Sequence, residues 1–198
     1  MRLIEGEDLF PHVSEYDVIL VGTNTYCSLA QGFQRDIMLH HPHVQEANMK
    51  TRYGDKSKLG TIVPVEGEPT FILCFICEGN FRPDISKDYL DYESLEKCLS
   101  LAKIITKGKK VATTLMGASR FDGNGDRERI LSLFESVLGG VGVDVYDYFQ
   151  TSADERKKAI REKEMKVKAV DHVAYYKMVA ERKEKEKKVK ELNGHTRT

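Results

Sequence analysis

The chain reads as a three-layer α/β/α domain on a mixed β-sheet, and three features of its 198 residues point there. Apolar runs of strand length alternate with segments of helical periodicity, the order expected when helices cover both faces of a sheet. Two strand-like runs, Gly60 to Val65 and Thr70 to Cys77, are joined only by Glu66-Gly67-Glu68-Pro69, so a hairpin adds an antiparallel pair to the sheet. Two loops rich in Gly and small polar residues follow strand-like runs and lead into helices, where open sheets bind ligands beyond the carboxyl ends of their strands.

The elements follow in order. Arg2 to Glu5 is a short apolar strand, and Tyr16 to Val21 is a continuous apolar run ended by Gly22, the pattern of a buried strand. Leu29 to His40 is a helix that stops before Pro42. Val44 to Tyr53 is a second helix, closed by Gly54. After the hairpin, Tyr92 to Thr106 carries Leu95, Leu99, Ala102 and Ile105 at helical spacing and ends before Gly108. Lys110 to Met116 is a strand running into Gly117. Arg127 to Leu138 gathers Ile130, Leu131, Phe134, Val137 and Leu138 on one side of a helix, and Val141 to Tyr148 is the last strand.

Hydrophobic residues make up 40% of the chain and charged residues 31%, which excludes a wholly disordered polypeptide. No apolar run approaches the roughly 20 residues of a membrane-spanning helix, so no membrane partner is expected. With no signal-peptide pattern at Met1 to Glu5 and only four cysteines, a reducing, cytoplasmic setting is the expectation. The net charge of +0 hides a division: Ala153 to Thr198 carry 15 Lys/Arg against 9 Asp/Glu, leaving residues 1 to 152 with 16 against 22. The expectation is a domain over 1–150 and a basic, charged helical extension over 151–198. In that extension Met165, Ala169, Val173, Tyr176 and Ala180 form one apolar stripe, and Val167, Val170, Ala174 and Met178 lie nearly opposite. Two stripes call for two surfaces, so self-association or a protein partner is expected through residues 160–180. Nucleic acid is a lesser reading, because nine acids dilute the basic helix.

The first Gly-rich loop runs from Gly22 to Phe33 and holds Asn24, Cys27, Ser28, Leu29, Ala30 and Gly32. The second runs from Met116 to Gly125 and holds Gly117, Ala118, Ser119, Arg120, Phe121, Asp122 and Gly123. Such loops bring backbone N–H groups to an anion at a helix N-terminus. Neither contains Gly-Lys-Ser/Thr or Gly-x-Gly-x-x-Gly. Cys74 and Cys77 lie within an apolar strand and read as core. His40, His41 and His43 are interrupted by Pro42 and lack a matching acid or Cys cluster, so neither a metal nor a cofactor is expected.

Three stretches together resemble a macro domain: Leu3-Ile4-Glu5-Gly6-Glu7-Asp8-Leu9-Phe10, then Asp17 to Gly32, then Thr114 to Asp126. Met116-Gly117-Ala118-Ser119 followed by an acid is most similar to the branch holding the terminal ADP-ribose glycohydrolase and the ADP-ribose-1''-phosphate phosphatases. The resemblance implies a site for ADP-ribose or a related nucleotide. Asp8 would accept from the adenine amino group, with Leu9 beside it. The loop from Cys27 to Phe33 would wrap one side of the diphosphate and distal ribose, with Asn24 near that ribose. The loop from Gly117 to Gly123 would cover the other side. Two departures accompany it. Ala30 stands where the family usually has Gly, which restricts close backbone approach. None of Gly60 to Glu66 is the Lys that the glycohydrolase branch uses on that strand, so lysine-dependent covalent chemistry is not expected. Hydrolysis of an ADP-ribosyl or terminal phosphate bond would then fall to a water activated by Asp122. The alternative is a non-catalytic assembly protein, such as a viral or phage component, that has a degenerate pocket and acts through its C-terminal helix.

Overall fold

A computed structural model of the chain describes residues 1–79, 88–119 and 123–148. Six strands form one sheet: β1 (Arg2–Glu5), β2 (Val18–Asn24), β3 (Ile62–Val65), β4 (Thr70–Cys77), β5 (Val111–Thr114) and β6 (Val143–Asp147). Their order across the sheet is β1-β6-β5-β2-β4-β3. Every neighbouring pair is parallel except β3 with β4, the hairpin expected from the four-residue turn. The sheet is therefore mixed, as the sequence implies.

Alternation along the central strands makes two cores. On one face Val18 and Leu20 of β2, Ile72, Cys74 and Ile76 of β4, and Val143 and Val145 of β6 pack with helix α3 (Tyr92–Ile105) and helix α4 (Arg127–Leu138). Leu95, Leu99, Ile130 and Phe134 lie beneath those helices, all 0% exposed. On the other face Ile19, Val21, Phe71, Leu73 and Phe75 lie under helix α1 (Gly32–His40) and helix α2 (Pro42–Lys50), which contribute Ile37 and Val44. Burying each of the larger side chains contributes about 1.5–3 kcal/mol. Two of the three clustered histidines lie against this second core, the rings of His41 and His43 being 4.8 and 5.9 Å from that of Phe71, while His40 is exposed beside Phe10. Burial, followed by the neighbouring imidazoles His43 and His40, holds His41 below the ordinary histidine range.

The amino edge of the sheet is fastened by polar contacts. Tyr16 donates to Asp144 Oδ2 at 2.8 Å and lies 2.9 Å from the Tyr146 hydroxyl. Arg2 Nε donates to Asp144 Oδ1 at 2.9 Å. Burial first, then these hydrogen bonds, push the Tyr16 phenol up. Burial also works to raise the Asp144 carboxyl, but the hydrogen bonds from Arg2 and Tyr16 and the charges of Arg2 and Lys110 outweigh it, so Asp144 sits below the usual carboxylate range.

Several ends differ from the sequence expectation for physical reasons. Strand β2 passes Gly22 and continues to Asn24, because Thr23 and Asn24 still pair with Phe75 and Cys77 of β4. Helix α1 begins at Gly32 rather than Leu29, since Leu29 is spent as a fully buried side chain in the extended approach. Helix α2 starts at Pro42, a residue suited to a first helical turn, and ends at Lys50, where Thr51 turns extended and its hydroxyl donates to Asn48 O at 2.7 Å. Strands β5 and β6 are each shorter than the apolar runs that contain them.

Candidate functional site

Five parallel strands end at one edge of the sheet, so the segments following β1, β2, β4, β5 and β6 share that edge. The chain leaving β2 runs to α1 and α2 on one face, while the chain leaving β5 runs to α4 on the other. Adjacent strands whose connections diverge in this way open a crevice between them, the usual ligand position in such sheets. The two Gly-rich loops flank it.

At the β1 end, Asp8 Oδ1 accepts from Phe10 N at 3.1 Å and opens a 3-10 turn over Phe10–Glu15. Leu9, only 1% exposed, anchors that turn in the core. The loop after β2 is held from within by Asn24. Its Oδ1 accepts from Tyr26 N at 3.1 Å and Ser28 N at 3.3 Å, and its Nδ2 donates to Ser28 O at 2.8 Å. Asn24 thus shapes the loop from within. Beyond it, Leu29 is buried while Ala30, Gln31 and Gly32 are exposed and Phe33 is half-buried. Leu29, Ala30, Gln31 and Gly32 donate no backbone hydrogen bond among the described residues. The α1 N-cap, Gln31, makes no side-chain cap hydrogen bond, and the first turn holds no acid. Free N–H groups at an uncapped helix start favour an anion. The left-handed positions of this loop are Cys27 at φ +55 and Gly32 at φ +50; Ala30 is not one of them. A non-glycine residue held there costs about 1–3 kcal/mol, which surrounding structure must outweigh.

What holds Cys27 is a lysine outside the motif. Lys58 lies in a 3-10 turn before β3 and is only 8% exposed. Its Nζ donates to Cys27 Sγ at 3.2 Å and to Thr51 Oγ1 at 3.0 Å, and stands 4.8 Å from the centre of the Phe75 ring. Gln45 Nε2 donates to Cys27 O at 3.0 Å from α2. Gly60 to Glu66 indeed contains no lysine, yet an amine is buried against the first loop from two residues upstream. A lysine in the polar run Asp55-Lys56-Ser57-Lys58 reads as solvated, so the sequence offered no sign of it.

The second loop is shaped by a leucine. Gly117 (φ +86) and Gly123 (φ +123) are left-handed, and Gly125 N donates to Gly117 O at 2.9 Å. Asn124 N donates to Ser119 O at 2.9 Å, while Ala118 N turns back on Leu115 O. Leu90, bridged to Cys77, lies against all three glycines: a Cβ would meet its side chain at 2.7 Å from Gly117 and 2.6 Å from Gly125, and its Cβ at 3.0 Å from Gly123. At the far end of the loop the Asp126 carboxylate caps α4 by accepting from Arg129 N at 2.8 Å. Arg127 joins this end to the sheet through Asp147 Oδ2, 2.8 Å from its Nε. Arg120, Phe121 and Asp122 lie outside the described residues, as does the extension 151–198 with its 160–180 stripes. Cys74 and Cys77 are buried thiols of the core and are in no disulfide.

No protein-family model matches the sequence, and no curated protein sequence does. Solved structures do match. The macrodomain of Thermus aquaticus DarG superposes with a TM-score of 0.54 at 15% identity, over 74% of this chain and 96% of that one. A macrodomain protein from Streptomyces coelicolor gives 0.51 at 15% identity, over 74% and 99%. The chain has the macrodomain fold. Thermosipho africanus DarTG, solved in complex with ADP-ribose, also matches, with a TM-score of 0.55 at 15% identity over 79% of this chain and 44% of that one. Among the described residues no helix is long and apolar enough to cross a membrane.

Proposed function

We propose that this macrodomain-fold chain binds ADP-ribose or a closely related nucleotide in the crevice between its two loops. The observation that carries the reading is the exposed start of α1, where backbone N–H groups stand free and no acid or side-chain cap competes with a diphosphate. The neighbour solved with ADP-ribose supports the choice of nucleotide. In this reading the adenine end lies toward Asp8 and Leu9, the diphosphate against the segment from Cys27 to Phe33, and Gly117, Ala118, Ser119 and Gly123 close the other side. Asp126 already occupies the start of α4, so the anion belongs to the first loop rather than the second. Neutral N–H donors serve a diphosphate without a lysine clamp, so the acidic balance of residues 1 to 152 is no obstacle. If an ADP-ribosyl or terminal phosphate bond is hydrolysed, Asp122 activates the water.

Calorimetry with ADP-ribose, and with AMP as a truncated control, tests the proposal. ADP-ribose binds more tightly than AMP, which lacks the second phosphate and the distal ribose. Asp8→Ala weakens binding by about 1–3 kcal/mol, the cost of removing one partner of a buried hydrogen bond. Asp122→Ala leaves binding in place and slows any hydrolysis ~100- to 10,000-fold. Absence of heat and of thermal shift at millimolar ADP-ribose removes this reading and leaves the assembly-protein alternative.

A further inference from the structure

Cys27 and Lys58 make no use of each other in nucleotide binding, yet they form a contact that a protein core rarely keeps. A lysine amine has been carried out of water with no direct ion pair among the described residues, although its charge reaches Asp55 and helps hold that carboxyl low. Its cage is a thiol, a threonine hydroxyl and an aromatic face. Thr51 Oγ1 spends its own proton on Asn48 O, so toward Lys58 it can only accept. Sγ is therefore the one atom of the cage able to react with the amine.

We propose that Cys27 and Lys58 are a modification site, joined by a sulfur–nitrogen bond when the protein meets hydrogen peroxide. In the first step Sγ takes one oxygen from the peroxide and becomes a sulfenic acid. The hydroxide released leaves as water with the proton of the thiol. In the second step Lys58 Nζ gives its ammonium proton to solvent and its lone pair attacks Sγ; the S–O bond breaks, and the departing hydroxide takes a further proton from the nitrogen as water. Thiol, ammonium and one peroxide thus become a sulfenamide, two waters and one proton; sulfur is oxidised by two electrons and the peroxide is reduced by two. Sulfenic acids condense with thiols or with nitrogen nucleophiles, and here the nearest such nucleophile is 3.2 Å away. Four methylenes of the Lys58 stem allow Nζ to advance without backbone movement. A thiol that is 5% exposed admits a peroxide far more readily than a bulky alkylating reagent.

The bond would tie the first Gly-rich loop to the turn before β3 across 31 residues. A thiol reductant would release it. The inference stands whether or not the crevice takes ADP-ribose, because its readout needs no nucleotide.

The experiment treats the full chain with hydrogen peroxide after removal of reductant and follows it by intact-mass spectrometry and tryptic mapping. The expected product is two hydrogens lighter than the reduced chain, returns to the starting mass with dithiothreitol, and melts at a higher temperature than the reduced form. Trypsin no longer cuts after Lys58, and the peptide that contains Cys27 travels with the peptide that contains Lys58. Cys27→Ser and Lys58→Arg abolish the product. Cys98→Ser keeps it, since Cys98 Sγ faces only the Thr61 and Phe75 carbonyl oxygens. The proposal is overturned by sulfenic or sulfinic acid that accumulates on Cys27 with normal cleavage at Lys58. It is equally overturned by the same two-hydrogen loss in Lys58→Arg, or by a Cys27 that stays unmodified. Should either variant fail to fold, the map of the unmodified sequence decides the matter alone.

Discussion

Gly117→Ala is the sharpest test of how the second loop is built. Two costs arise from the structure. The backbone there sits at φ +86, a conformation that an L-residue adopts at about 1–2 kcal/mol. The new Cβ would also fall 2.7 Å from both Cδ atoms of Leu90. The ends of a leucine normally swing aside, but Leu90 is 7% exposed and lies so close under Gly125 and Gly123 that a Cβ on either would fall 2.6 or 3.0 Å from it, so it has little room to move. Overpacking of that kind costs about 1–3 kcal/mol. The sum, roughly 2–5 kcal/mol, is a large share of the ~5–15 kcal/mol that holds a domain together. Urea melts followed by far-UV circular dichroism measure it, since the chain has no Trp to report by fluorescence. Leu90→Ala alone costs about 2–5 kcal/mol for the cavity. In that background Gly117→Ala should cost only its backbone part, about 1–2 kcal/mol. Gly125→Ala, which has no left-handed φ, should cost less there, the remainder coming from Ile130 Cδ1 and the Tyr92 hydroxyl, which its Cβ would still meet at 3.0 and 3.1 Å. A Gly117→Ala protein within about 0.5 kcal/mol of the parent, the range of an ordinary surface change, would refute the reasoning. So would an undiminished Gly125→Ala cost after Leu90 is removed.

Three further outcomes follow from single contacts. Asp126→Ala removes the cap that accepts from Arg129 N and should cost about 1 kcal/mol, read as a fall in Tm with the fold retained. Asn24→Ala releases Tyr26 N, Ser28 N and Ser28 O together; the expected loss is about 1–3 kcal/mol in urea melts, with faster amide exchange confined to residues 25–32. Asp144 is held below the ordinary carboxylate range, so its contribution to stability is fully present above the unfolded value near pH 4. It is lost as the pH falls through the folded value, because the unfolded chain then binds the proton more readily. Asp144→Asn should flatten the acid limb of the stability curve, and an unchanged slope would show that the Arg2 and Tyr16 contacts do not govern it.

Much of the fold was legible because it is written in short-range periodicity. The helix expected over Arg127 to Leu138 is found with those bounds and ends with its apolar stripe at Leu138, and the hairpin of β3 and β4 follows from a turn only four residues long. The ends that slipped were set by distant partners. Nothing local extends β2 through Thr23 and Asn24; Phe75 and Cys77, some fifty residues on, do so. Leu29 fits a helical stripe as well as an extended buried approach, and the core chose the latter. Leu90 was invisible for a similar reason. A lone leucine in a polar stretch carries no pattern, and only its bridge to Cys77 sets it beneath three glycines that read as simple turns.

The candidate site divides along the same line. Asp8, Asn24 and the loop glycines stand out in the sequence because turns demand particular residues, and the structure has them organising backbone: Asp8 starts a 3-10 turn and Asn24 braces its own loop. The groups left at the surface, the N–H groups from Ala30 to Gly32, are ones that any non-proline residue possesses, so no residue type can mark them. A substitution at Ala30 that spares the backbone should therefore be tolerated by a diphosphate, whereas one at Asn24 should not, although only Ala30 lies in the segment proposed to meet the ligand. Lys58 obeys the opposite logic. Its chemistry depends wholly on its side chain, but the site it enters is assembled across 31 residues, beyond the reach of any spacing rule.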